Sequence, residues 1–124
     1  MNELFDFPTQ SLSIQSGKEI MEQLQTPELG FYYHYKHAPN GTVNNYAYEV
    51  IGTALHTEER NYTVIYRPLY KNTFLEGANF CARPLEMWNE NVTKEDKTFP
   101  RFERITDPAV IAHLEQIKTE MYDK

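Results

Sequence analysis

The sequence predicts a mainly β fold: a small antiparallel barrel with a short helix before it and an amphipathic helix after it. Three observations carry this expectation. Between residues 30 and 105, short runs rich in Tyr, Val, Ile and Thr alternate in hydropathy and are separated by Pro, Gly and Asn. Fourteen of the seventeen aromatic residues fall in that segment, so the core must lie there. Beyond Asp107, apolar residues recur at the period of a helix. Five or six short strands in about 75 residues are too few for a large sandwich, and a strongly bent barrel protects their edges.

Each element has its own signal. Residues 1–15 show no steady period and read as an extended or loosely packed arm. Ser16-Gly17-Lys18-Glu19 is a capping box, Ile20, Met21 and Leu24 give a short apolar face, and Pro27 ends the helix. A helix of about two turns is unstable alone and must pack on the body. Gly30 to Lys36 alternates, with Phe31, Tyr33 and Tyr35 on one face and Tyr32, His34 and Lys36 on the other. His37 to Asn45 is a polar excursion around Pro39-Asn40-Gly41, a strong turn signal. Tyr46 to His56 is a long strand in which Gly52 suggests a bulge or bend. Thr57 to Asn61 is a charged turn, and Tyr62 to Arg67 is a strand ended by Pro68. Lys71 to Asn79 is a loop, and Phe80 to Arg83 is a short strand stopped by Pro84. Met87 to Val92 and Thr98 to Ile105 read as a hairpin around Lys94-Glu95-Asp96-Lys97. Asp107 caps the last helix, with Pro108 at its first position. Val110, Ile111, Leu114, Ile117 and Met121 form its apolar stripe, which covers a sheet face, an open barrel end or a partner chain. The chain therefore divides into an arm and short helix (1–28), a barrel (29–105) and a helix (106–124), all within one domain.

Charge follows the same division. The 124 residues carry a net charge of −6, yet nine acids balance nine bases between Gly30 and Ile105. The excess acid lies in the flanks, and the barrel is neutral. That argues against a protein that holds long duplex nucleic acid by bulk charge. The lone Cys81 excludes an intramolecular disulfide and a multi-cysteine metal site. No basic stretch followed by an apolar run opens the chain, and no apolar stretch approaches the roughly 20 residues that span a bilayer. A cytoplasmic protein with no membrane contact is expected.

Five ordered blocks then carry a family resemblance. They are Gly30 with Tyr32, Tyr33, Tyr35 and Lys36; Tyr48-Glu49-Val50 with Gly52, Ala54 and His56-Thr57-Glu58; Val64 with Tyr66-Arg67-Pro68-Leu69-Tyr70; Arg83-Pro84-Leu85-Glu86-Met87; and Pro100-Arg101-Phe102. In this order, over about residues 29–105, they resemble the small bacterial family called domain of unknown function 1653. The resemblance implies a compact SH3-like β-barrel and no particular activity. The chain departs from the family pattern in the insertion from Ala38 to Asn45, in the loop from Thr73 to Asn79, and at Cys81, where a bulky apolar residue is common.

The chemistry-bearing residues admit competing readings. His34 and His37 stand at an odd separation, which points them to opposite faces of a strand and prevents joint chelation. His56 and Glu58 share a face, but a metal site needs a third ligand, so no metal or other cofactor is expected. Cys81 lies in the apolar run Phe80-Cys81-Ala82 and reads as a small core residue rather than a nucleophile. Arg67, Arg83 and Arg101 each sit beside an aromatic or a proline inside a family block. A guanidinium so placed grips a carboxylate or phosphate, or forms an internal ion pair such as Arg67–Glu49 or Arg83–Glu86. His34, Lys36, Tyr48 and Tyr66 add rings and a cation that suit a planar ligand, or equally a tyrosine-rich core. No phosphate loop, serine elbow or paired-carboxylate motif occurs.

The sequence thus points to a non-enzymatic binding module. Its candidate surface comprises His34, Lys36, Tyr48, His56, Tyr66, Arg67, Arg83, Glu86 and Arg101, and its ligand is a small anionic or planar, nucleotide-like molecule or a peptide. One alternative is a small hydrolase or transferase with His34 or His56 as base and Arg83 as anion clamp. Another is an assembly protein that dimerises through the helix from Val110 to Met121.

Overall fold

The computed structural model describes residues 24–73 and 80–123. The expected arm and helix up to residue 23, and most of the loop from Lys71 to Asn79, lie outside these. Residues 24–28 run without regular structure into the first strand. The elements that follow are β1 (Gly30–His34), β2 (Ala47–His56), β3 (Asn61–Pro68), β4 (Cys81–Pro84), a helical turn α1 (Leu85–Trp88), β5 (Asn91–Lys94), β6 (Lys97–Pro100), β7 (Phe102–Arg104) and α2 (Pro108–Tyr122).

Five strands form one antiparallel sheet in the order β4-β3-β2-β1-β7, and β5 and β6 form a separate hairpin. The sheet curls into a half-barrel. Its edges, β4 and β7, do not pair with each other among the described residues, so the expected closure is incomplete.

Two elements differ from the sequence expectation. Residues 85–88 form a helical turn instead of starting a strand. The turn buries Leu85 and Trp88, which are three apart and so share a helical face, and leaves Met87 41% exposed. The run expected from Thr98 to Ile105 breaks at Arg101, whose amide donates to the carbonyl of Glu90 while its carbonyl accepts from the amide of Tyr35. That crossing lets β6 pair back on β5 while β7 joins β1. The hairpin turn lies at Glu95 and Asp96 as expected, both with positive φ, at 50° and 67°.

Strand alternation gives the sheet two covered faces. One buries Phe31, Ala47, Leu69 and Ile105 against Leu114 of α2, with Tyr33, Val110, Ile111, Ile117 and Tyr122 around them. The apolar stripe of α2 is therefore spent on its own sheet. Asp107 caps α2 by accepting from the amide of Ala109 at 2.9 Å, with Pro108 opening the first turn. The same face carries a charge cluster. Glu49 accepts from Nε of Arg67 at 2.9 Å and from Nζ of Lys118 at 3.0 Å. The guanidinium of Arg67 lies 4.0 Å over the ring of Tyr122, whose hydroxyl donates to the carbonyl of Pro68.

The other face buries Tyr32, Tyr48, Val50, Val64, Tyr66, Leu85, Trp88 and Phe102. A bulge between Val50 and Gly52 leaves Ile51 unpaired and 37% exposed. A Cβ at Gly52 would meet nothing within 4 Å, so close approach of other atoms does not demand that glycine. The excursion after β1 is tied down by Asn45, whose side chain accepts from the amide of Ala38 and donates to the carbonyls of Ala38 and Thr42. Tyr33 adds a hydrogen bond from its hydroxyl to the carbonyl of Val43.

Candidate functional site

Phe102 organises the aromatic face. Its ring lies flat on Trp88, with 3.7 Å between centroids and 2° between planes. His34, directly opposite on β1, stands edge-on to it at 5.1 Å. Tyr48 and Tyr66 approach at 5.9 and 6.3 Å. The guanidinium carbon of Arg83 lies 5.4 Å from the same centroid. Arg83 reaches this place because it pairs with Val64 across the β3–β4 ladder, and cross-strand partners share a face.

The cations here are poorly matched by anions. Nε of Arg83 is buried without a hydrogen-bond partner, and no carboxylate pairs with this guanidinium among the described residues. Arg101 bonds Glu90 through Nη2 at 3.1 Å, but its Nε is likewise buried and without a partner among the described residues. A buried donor left unmade costs about 1–3 kcal/mol. Burial, reinforced by the fields of Arg83, Arg101 and Lys36, lowers His34 from the usual 6.5 to about 4. His34 is therefore neutral at pH 7. Its Nδ1 accepts from the amide of Lys36 at 3.2 Å, which puts the ring hydrogen on Nε2.

Tyrosines continue the wall. Tyr46 stacks on His34 with 5.7 Å between centroids and reaches Tyr70 at the same distance. The hydroxyls of Tyr48 and Tyr70 bond each other, and burial together with that bond raises the Tyr48 pKa well above its usual range. Tyr46 takes a left-handed backbone, φ 54°, which is rare for an aromatic residue, and the residue is 37% exposed at the rim.

Of the residues expected from sequence, His34, Tyr48, Tyr66, Arg83 and Arg101 converge here, and Lys36 stands exposed beside them. Arg67 faces α2 on the opposite side, in the ion pair with Glu49. His56 is exposed at the end of β2, where Nδ1 accepts from the amide of Glu59. Glu86 is exposed in the first turn of α1 and makes no ion pair with Arg83. Sequence reasoning did not select Phe102, Tyr46 or Tyr70 as site residues. Phe102 and Tyr70 lay inside family blocks, whereas the backbone of Tyr46 leaves no signal in the sequence. Cys81 packs against the aromatic core, and burial raises its thiol pKa, as suits a core residue rather than a nucleophile. Two cavities border the cluster. One, of about 240 Å³, touches Tyr32, Trp88 and Phe102, and the other, of about 230 Å³, touches His34, Tyr35, His37 and Glu103.

Comparison with known proteins locates this arrangement. No curated protein matches the chain. A crystal structure of a DUF1653 protein from Bordetella bronchiseptica is similar, with 29% identity and a TM-score of 0.51, over 67% of this chain and 96% of that one. The family model described as protein of unknown function (DUF1653) matches residues 30–104, which contain every strand of the sheet and the whole Phe102 cluster. The chain belongs to the DUF1653 family.

Proposed function

We propose that this protein is a binding module that takes a small anion on its aromatic face. One observation carries the reading: Arg83 is held over Phe102 with its Nε buried and no counter-charge among the described residues. A guanidinium kept this way is matched best by a ligand that brings acceptor oxygens. Arg101 and the Nε2–H of His34 supply further donors nearby. Binding is favoured over catalysis because an imidazole with a pKa of about 4 is a weak base at neutral pH. The SH3-like description of the half-barrel and a cytoplasmic, bacterial setting belong to the same proposal. They are supported by the family match, by the Bordetella relative, and by there being no helix among the described residues long and apolar enough to cross a membrane.

The test is a thermal-shift titration of the full chain with acetate, benzoate, inorganic phosphate and adenosine monophosphate. A ligand at 100 times its dissociation constant adds about 2.7 kcal/mol of stability, a clear rise in Tm for a domain of this size. At least one of these anions should raise Tm, and Arg83→Gln should remove the rise. Silence across the panel, or a rise unchanged in Arg83→Gln, would overturn the reading.

A further inference from the structure

We propose that the ligand of this face is a flat monocarboxylate, an aromatic or heteroaromatic acid whose carboxylate sits on Arg83 and whose ring lies along Tyr46 and His34. This rests on the anion-binding reading above and names the class of anion.

The first support is a charge count. Arg101 is already balanced by Glu90, His34 is neutral, and Lys36 is exposed to water. Among the described residues that leaves Arg83 as the unpaired positive charge in the half-buried part of this face, with Lys36 at its exposed edge. A monoanion neutralises Arg83, whereas the second charge of a dianion finds only the solvent-screened Lys36 to offset its desolvation.

The second support is the donor inventory. Nε–H of Arg83 and Nε–H of Arg101 are unpartnered among the described residues but buried, so a ligand meets these half-buried guanidinium groups through their outer nitrogens. With Nδ1 of His34 taken by the amide of Lys36, Nε2–H is a donor. The Tyr48–Tyr70 pair shares one hydrogen bond, so among the described residues one of its two hydroxyl hydrogens stays uncommitted. The face therefore offers donors and few acceptors. A carboxylate is acceptor-only, with two oxygens that fit the fork of a guanidinium.

The third support is shape. His34 and Tyr46 lie within 28° of parallel, and Tyr70 and Tyr48 extend the wall from Tyr46. Tyr46 keeps its ring at the rim at the expense of a strained left-handed backbone, and such strain concentrates at ligand clamps. A planar body stacks there better than a compact tetrahedral anion.

The experiment is isothermal titration of the full chain with 2-naphthoate, its neutral amide 2-naphthamide, and inorganic phosphate, using the wild type, Arg83→Gln, Arg83→Lys and Tyr46→Gly. The expected result is saturable naphthoate binding, at least about tenfold tighter than phosphate or the amide, since one charge-assisted bidentate pair supplies that much. Binding should fall by about tenfold or more in Arg83→Gln and in Arg83→Lys, which keeps the charge but loses the fork. Tyr46→Gly should weaken naphthoate while relieving backbone strain, so a folding defect cannot explain its loss. Circular dichroism checks each fold, and if Arg83→Gln is unfolded, Arg83→Lys and Tyr46→Gly decide. Arg83-dependent binding of phosphate tighter than naphthoate would overturn the monocarboxylate class and leave the anion reading standing. Naphthoate binding indifferent to Arg83 and Tyr46 would overturn the location. No heat with any probe would remove both readings.

Discussion

Trp88 lies flat on Phe102, so the last residue of the α1 turn is fastened to the first residue of β7 across thirteen intervening positions. Both rings are buried, and Phe102 also touches His34 and the Arg83 guanidinium. Removing either ring opens a large cavity in the aromatic core. Trp88→Ala and Phe102→Ala should each cost about 3–5 kcal/mol in urea unfolding. A cost under about 1 kcal/mol for either would show that the stack is not a principal anchor.

The opposite face depends on one carboxylate. Glu49 joins β2 to β3 through Arg67 and to α2 through Lys118, and all three side chains are largely shielded from water. Glu49→Gln leaves two cations short of a partner and should cost about 1–3 kcal/mol. Hydrogen exchange should accelerate in α2 more than in β1. Lys118→Ala removes only the outer contact and should cost no more than about 1 kcal/mol. Equal costs for the two substitutions would contradict this ranking.

His34 should make stability pH-dependent. Its folded pKa, about 4, lies below the usual 6.5, so the unfolded chain binds the proton more readily. The stabilising contribution of neutral His34 is complete above about pH 6.5 and declines as pH falls toward 4. His34→Phe should flatten that part of the stability profile measured by urea unfolding. An unchanged slope between pH 6.5 and 4 would mean that His34 titrates alike in both states.

The β5–β6 turn holds two non-glycine residues, Glu95 and Asp96, in left-handed backbone. Asn-Gly is the pair that such two-residue turns favour. The double substitution Glu95→Asn with Asp96→Gly should stabilise the protein by about 0.5–1 kcal/mol. A lower midpoint in urea would show that the acidic pair has another stabilising role.

Much of this structure was legible before the fold was known. Alternation in Phe31–His34 separated the two faces of β1, and the Asp107-Pro108 cap with the stripe through Leu114 placed α2. The α1 turn was not legible, because four residues hold too little periodicity to outweigh strand propensity. The sorting of arginines was not legible either. Arg67 and Arg83 have similar neighbours in sequence, yet strand register puts Arg67 opposite Glu49 and Arg83 opposite Val64, on different faces. Register is a property of paired strands, and one strand's sequence does not contain it. The burial of the Nε atoms of Arg83 and Arg101 without a partner among the described residues likewise exists only once the chain has folded.

The bulge at Ile51 works like a one-letter insertion in a message read two letters at a time. Upstream, even-numbered Tyr48 and Val50 look toward the aromatic core; downstream, odd-numbered Thr53 and Leu55 do so, paired with Val64 and Tyr62. Deleting Ile51 would merely close the bulge, because Val50 and Gly52 already pair with the consecutive residues Tyr66 and Ile65. Drawing Ile51 into the ladder instead would turn the far half of β2 inside out. It would bring Ala54 and His56 inward and send Leu55 toward solvent. By leaving one exposed residue out of the pairing, the bulge thus keeps the two halves of the longest strand in phase with one another.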